Sequence, residues 1–283
     1  MLFYEGPIAR AYLATLSNLG LRPEKIIELV ASKDLVSGKP VGRWLPQSLR
    51  ISYAATLQRN KIHYWSRQLS KSQSGLVEAI GAAVHERFGF AREVVGEANS
   101  LRALSSYSDQ VDSLLVDGLG DPQLVSYLQQ QPATTLLFTG GGIVPAALLE
   151  LSHSRMLHIH PGFLPDIRGA DCALWSSLLQ GRTSASCFYM APGIDSGDIV
   201  LSSWLPRLSV QETVADIDAQ SLYRATYAFI DPWIRAFVLR QIVTRFETYG
   251  QLNSTPQSQS NGTTFHFMHD RVKRVALQRL YVG

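Results

Sequence analysis

The first 31 residues already restrict the kind of sheet this chain can build. "MLFY" is apolar and runs into Glu5-Gly6-Pro7, a turn. "IARAYLATLSNLG" then sets Ile8, Ala11, Tyr12, Leu16 and Leu19 at helical spacing and stops at Gly20, and "KIIELVAS" follows as a second apolar strand. Strand, helix and strand with short links form a crossover unit whose strands run parallel. The expected fold class is α/β: a Rossmann-like parallel sheet over residues 1–205, followed by a small C-terminal domain, mixed α/β or helical, over residues 206–283.

Size and charge agree with that reading. At 283 residues and 46% hydrophobic content the chain can bury a sizeable core. Its net charge of +3 is modest and no block of Lys and Arg forms a phosphate-tracking stripe, so nucleic acid is not an expected partner. Cys172 and Cys187 make neither a disulfide framework nor a zinc knuckle; they are expected to be small buried hydrophobes in a reducing cytoplasm. "MLFYEGPIAR" lacks a basic segment followed by an apolar one, and no apolar run nears the roughly 20 residues of a membrane span. The expectation is a cytoplasmic protein with no membrane partner.

The alternation continues along the chain. "SGLVEAIGAAVHERF" reads as a helix closed by Gly89, residues 111–116 as a strand, and Asp121-Pro122 as the cap and first turn of another helix. "TTLLFT" is a strand for a sheet interior, and Gly140-Gly141-Gly142 directly after it lets main chain approach a ligand. "VPAALLELSHS" is expected as a helix, "RMLHIHP" as a strand, and "CALWSSLLQ" as a helix ending at Gly181. "TSASCFYM" and "DIVLSSWLP" read as strands flanking the turn "APGIDSG". Residues 214–246 are expected to be helical with a break at Asp231-Pro232, "NSTPQSQSNGTT" to be a polar loop, and the end to be a strand and short helix. "KIHYW" in the 38–70 stretch fits a strand or a helix.

Chemistry concentrates in one segment, "RMLHIHPGFLPDIRGADCALW". Residues two apart in a strand share a face, so His158 and His160 project together where α/β sheets bind ligands. Pro161 then ends the strand ladder. Acid–base work by a histidine needs an orienting partner. Asp166, Asp171, Asp195 and Asp198 lie downstream; Asp195, in the glycine-flanked turn "GIDSGDI", is best placed, while Asp166 and Asp171 suit helix capping and Asp198 leads into a strand. His-x-His plus a carboxylate also fits a zinc or iron set, but His153 is expected on the preceding helix, leaving no third histidine. No metal is therefore expected.

The stretch from Arg155 to Val200 resembles the core of the 10-formyltetrahydrofolate-dependent formyltransferases, which include glycinamide ribonucleotide transformylase, methionyl-tRNA formyltransferase and the sugar N-formyltransferases. The matching pieces are His158-Ile159-His160-Pro161, Leu164-Pro165, Arg168-Gly169, Gly181-Arg182-Thr183 and Asp195-Ser196-Gly197. The resemblance covers residues 105–205 well and the flanks weakly. It implies that His160 is the catalytic histidine and Asp195 the aspartate working with it. It also implies that Phe138, Gly140, Gly141, Gly142, Ile143, Val144, Ile194 and Ser196 hold 10-formyltetrahydrofolate, the formyl donor. One departure stands out: the family's asparagine position is occupied by His158, which leaves three readings: His158 donates to the formyl oxygen in the asparagine's place, which is the one pursued, the reaction differs, or catalysis is lost. A protonated His160, its pKa raised by Asp195, is the other expected donor.

The resulting expectation is formyl transfer from 10-formyltetrahydrofolate to the amine of a small-molecule acceptor. Three alternatives stay open: a formyl-folate hydrolase, a metal-dependent hydrolase using His158 and His160, and a non-catalytic folate-fold binding protein. "YEGPIARA" lacks the phosphate loop of the purine enzyme, and the modest charge argues against tRNA. Trp233, Phe265, His266, Phe267 and His269 in the tail either line a pocket or fill the small domain's core, the core being the main expectation. A homodimer is left open.

Overall fold

The structure is a computed structural model and describes every residue except 211–213, 215, 247, 258–261 and 283. In chain order the elements begin with β1 (Leu2–Tyr4), α1 (Pro7–Asn18), β2 (Ile26–Ala31), α2 (Gln47–Ile62), α3 (Tyr64–Ser72), α4 (Ser74–Phe88), α5 (Arg92–Asn99), β3 (Val111–Val116) and α6 (Pro122–Gln129). They continue with β4 (Thr134–Leu137), α7 (Ala146–Leu149), β5 (Ser154–His160), β6 (Ile167–Gly169), α8 (Cys172–Gln180), β7 (Ser184–Tyr189) and β8 (Ile199–Trp204). The last are α9 (Ala219–Ala225), α10 (Asp231–Arg245), β9 (Thr263–Phe265) and α11 (Asp270–Val282).

β1, β2 and β3 pair in parallel in the order β1-β2-β3, and β4 pairs in parallel with β5. A parallel bridge from Leu2 to Phe138 joins the two groups. "TTLLFT" and "RMLHIH" are thus adjacent parallel strands. The parallel sheet carries an antiparallel edge: β7 runs antiparallel to β5, and β8 antiparallel to β7. Only nine residues link β7 to β8, too few for a crossover, so the pair must turn back on itself. β6 and β9 form a separate two-stranded parallel pair.

Local signals explain most element ends. Asp121 accepts from the Gln123 N–H at 2.9 Å and Pro122 opens α6. Gly89 and Gly181 close α4 and α8 in the left-handed conformation. "KIHYW" straddles the joint at His63 between α2 and α3. Two expectations need correcting. α7 is a single turn, because β5 begins at Ser154; His153 therefore lies in a turn, its Nε2 3.1 Å from Leu128 O. Asp231-Pro232 does not break the helix: α9, begun at Asp218, passes through a π-helical turn (Thr226–Ile230) straight into α10. Pro232 sits in the first turn of α10, where a missing N–H costs little. The polar "NSTPQSQSNGTT" stretch falls partly, at 258–261, outside the described residues.

The sheet buries both faces. On one, Leu2, Leu29, Leu136, Phe138 and Met156 pack with Leu124 and Leu148 of α6 and α7. On the other, Leu157, Ile159 and Cys187 pack with Ala11 and Tyr12 of α1 and with Trp233, Ile234 and Val238 of α10. Side chains on both sides of residue 205 share that second cluster, Leu277 and Tyr281 of α11 included. Cys172 and Cys187 are free and buried. No helix among the described residues is long and apolar enough to cross a membrane.

Candidate active site

Strand alternation sends Leu157 and Ile159 into the α1/α10 core and leaves Met156, His158 and His160 on the opposite face. Both histidines are buried. They form the floor of a cleft of about 1100 Å³ beyond the carboxyl ends of β4 and β5.

His160 has its Nε2 3.2 Å from Ile167 O and its Nδ1 3.4 Å from Asp195 Oδ2. Asp195 Oδ2 also accepts the Gly169 N–H at 2.9 Å, so the carboxylate is aimed from two sides. Asp195 has φ 49°, a left-handed backbone that a tight turn demands and that aspartate tolerates better than most residues. The route from β5 to β6 is pinned by serines of the antiparallel pair. Ser186 Oγ accepts from Leu164 N–H at 2.9 Å and donates to Gly162 O at 2.7 Å, and Ser202 Oγ donates to Leu164 O at 3.0 Å. Gly162 is required by close approach: a Cβ there would lie 2.3 Å from Ile167 O and 2.6 Å from His160 Nε2.

His158 is placed differently. Its Nδ1 is 3.3 Å from Phe138 O, its Nε2 3.5 Å from Arg235 Nη1, and its ring lies between Phe138 and Phe188. Burial and the nearby Arg235 cation push the pKa of each histidine down to about 3. Burial and Arg235 thus move His160 toward its neutral form, opposite to the direction expected from Asp195 beside it. Burial also raises the Asp195 pKa, so both partners tend toward their neutral forms. In neutral His158, Nδ1–H faces a carbonyl and Nε2 presents a lone pair to a guanidinium. In that tautomer His158 has no second N–H, and both ring nitrogens already face protein groups.

Phe138, Gly140, Gly141, Gly142, Ile143, Val144 and Ile194 all line the cleft. Ser196 does not, its Oγ donating to Pro192 O at 2.9 Å. Ile143 is 89% exposed and Ile194 55%, two large apolar side chains held in water at the cleft mouth. The other wall comes from the tail: Tyr223, Tyr227, Phe265, His266 and Phe267 line it. Of the aromatic and histidine residues assigned to a C-terminal core, only Trp233 is buried there; His269 is exposed. Asp171, at the start of α8, accepts from the hydroxyls of Tyr223 (2.8 Å) and Tyr227 (2.6 Å) and from Met268 N–H (2.9 Å), fastening the tail to the start of that helix. Asp166 is exposed, and Asp198 lies 3.5 Å from Arg155.

Arg235 is the residue that sequence reasoning missed. β4 ends at Leu137, so Ile159 O has no ladder partner there, and Arg235 Nη1 donates to it at 2.6 Å. Asp231 Oδ2 accepts from its Nε at 2.9 Å. Nothing near Arg235 in sequence marks it; it stands 77 residues from His158 on a helix of the opposite face. Among the described residues no three His, Cys, Asp or Glu side chains are grouped to hold a metal ion, and a guanidinium beside His158 would repel one.

A sheet with a His–Asp pair and a glycine loop in the crevice at its carboxyl edge defines a doubly wound α/β protein built around a ligand site. Residues 86–230 match the Formyl transferase family, half of the chain, and the protein belongs to that family. It is 31% identical over 106 residues to a methionyl-tRNA formyltransferase of Syntrophus aciditrophicus, covering 36% of this chain and 34% of the relative. It is 44% identical over 63 residues to that of Rickettsia prowazekii, covering 22% and 20%. The match with the first of these takes in about a third of its length. Among solved structures, HypX from Aquifex aeolicus aligns at TM-score 0.40 and 15% identity, over 72% of this chain and 32% of that one. The formyltransferase PseJ from Anoxybacillus kamchatkensis, solved with a formamido sugar nucleotide and tetrahydrofolate, aligns at TM-score 0.37 and 19% identity, over 63% and 89%.

Proposed function

We propose that the protein transfers the formyl group of 10-formyltetrahydrofolate to the amine of a small-molecule acceptor in the cytoplasm. The observation that carries this reading is the His160–Asp195 contact, 3.4 Å from Nδ1 to Oδ2, on the floor of a cleft walled by glycine backbone. The acceptor amine must lose one proton and the folate nitrogen N10 must gain one. Asp195, whose carboxylate is made more basic by burial, is the member of the pair suited to take the first proton, with neutral His160 beside it to orient and relay it toward N10.

The residues also suit the donor. A pterin carries alternating hydrogen-bond donors and acceptors, which exposed main chain reads well, and a Cβ at Gly141 would meet nothing within 4 Å. In this reading Phe138, Gly140 to Val144 and Ile194 hold the pterin. Residues 1–205 present the reacting pair, and residues 206–283 wall the acceptor side with Tyr223, Tyr227 and Phe265. An aromatic wall suits a compact acceptor, which favours a small amine over a tRNA.

The test measures tetrahydrofolate release from 10-formyltetrahydrofolate with a panel of amino sugars, hydroxylated amines and aminoacyl-tRNA. Release that depends on a small amine supports the proposal. Formate release without an acceptor would instead mark a hydrolase, and folate binding without either product a binding protein.

A further inference from the structure

We propose that Arg235 is a catalytic residue of this cleft: its guanidinium is the donor to the formyl oxygen, at the place where the family carries an asparagine side chain and this chain carries His158. The inference rests on the formyl-transfer reading above and adds a residue to it.

Three observations converge. With its Nδ1–H toward Phe138 O, His158 has no N–H left to offer, because its other ring nitrogen faces Arg235 Nη1. Arg235 lines the cleft; its Nε donates to Asp231 Oδ2, and its Nη1 donates to Ile159 O and faces His158 Nε2. Among the described residues, none of these bonds engages Nη2, whose two N–H groups remain available. Finally, the guanidinium is costly to bury. Its side chain is 12% exposed, yet Asp231, which neutralises it, is 1% exposed and keeps Oδ1 without a partner among the described residues. A fold that needed only to tie α10 to β5 would manage with a neutral side chain.

The chemistry calls for such a group. As the acceptor nitrogen adds to the formyl carbon, the C=O π pair moves onto oxygen. When that pair returns, the bond from carbon to N10 breaks and N10 keeps its electrons and takes a proton. The amine gives up one proton, so the sum balances with no further reactant. A guanidinium donates to the oxygen throughout without losing a proton, and charge-assisted donors are stronger than a neutral amide. His158 is then a positioning residue, holding Nη1 while Asp231 holds Nε.

The test uses the full chain, 10-formyltetrahydrofolate and hydroxylamine as the probe amine. Arg235→Met is expected to lower kcat by roughly 10²–10³, the usual effect of losing one oxyanion donor, with KM for the folate within about threefold. His158→Asn/Arg235→Met, which restores the family's amide, is expected to recover at least about tenfold of that loss. Because Arg235→Met strands a buried carboxylate, Arg235→Lys serves as the fold-safe variant; it keeps the charge but not the fork and is expected to lose at least about tenfold in kcat. A kcat within about threefold of the parent in either folded single variant overturns the inference, as does a double variant with no recovery. A parent chain that transfers no formyl group overturns the formyl-transfer reading and this inference together, whereas an active parent with unaffected variants overturns this inference alone.

Discussion

The His160 ring and the Asp195 carboxylate meet at 3.4 Å, Nδ1 to Oδ2, while the ring's other nitrogen lies 3.2 Å from Ile167 O. A neutral ring with Nε2–H toward Ile167 O turns a lone pair toward Asp195, so the contact is attractive only when a proton lies between them. Asp195→Asn preserves an acceptor for Gly169 N–H and cannot move that proton as an acid. It is expected to lower kcat by about 10²–10⁴, with the melting temperature changed little, as is His160→Ala for kcat. Tetrahydrofolate release and a thermal melt check both; an Asp195→Asn variant with parental kcat would remove the pair from the mechanism.

Acid should unfold this protein through its histidines. The folded pKa of His158 and of His160 is held down to about 3 against an ordinary 6.5, so between those values the unfolded chain binds more protons. Their contribution to stability is complete above pH 6.5 and is lost as pH falls toward 3, by at most about 1.4 kcal/mol per pH unit per ring. The raised Asp195 acts in the opposite sense, losing stability as pH rises above its ordinary carboxylate range. Urea midpoints between pH 7 and 4 should fall steeply, and less steeply in His158→Asn; equal slopes would place His158 in a wetter site than its burial indicates.

Gly162→Ala tests the tight packing beneath His160. Its Cβ would press on Ile167 O at 2.3 Å and on the ring at 2.6 Å, and neither the backbone nor the pinned imidazole yields easily. A loss of about 1–3 kcal/mol is expected by chemical denaturation, together with reduced kcat. Parental stability would mean that the β5–β6 link relaxes freely.

Gly141→Ala separates folding from ligand binding. The new methyl meets nothing within 4 Å, so stability should change by less than about 0.5 kcal/mol. If the glycine backbone carries the pterin, calorimetric affinity for 5-formyltetrahydrofolate should weaken about tenfold, the loss of one good contact. Unchanged affinity would move the folate away from this loop.

Patterns short enough to repeat along a strand, helix or turn were legible in the chain itself. The β1–α1–β2 crossover follows from apolar spacing, and α4, α6 and α8 end where glycine, or aspartate followed by proline, makes an end cheap. His158 and His160 share a face because a strand's period is two, and Asp195 stands in a turn that its glycine neighbours announce. What tertiary structure alone decided are quantities set by the surroundings of a residue. The antiparallel run of β7 and β8 depends on which edge β5 leaves open. Tail aromatics that look like core line the cleft, where Asp171 anchors Tyr223, Tyr227 and Met268 to the start of α8. The pKa shift of His160 runs opposite to the expected direction because the ring is buried and the Arg235 cation lies near it. Arg235 reaches the site from 77 residues away, past the end of β4, through a hydrogen bond to a main-chain carbonyl that has no sequence signature. Local periodicity is written in the order of residues; solvation and long-range charge exist only once the chain has closed around them.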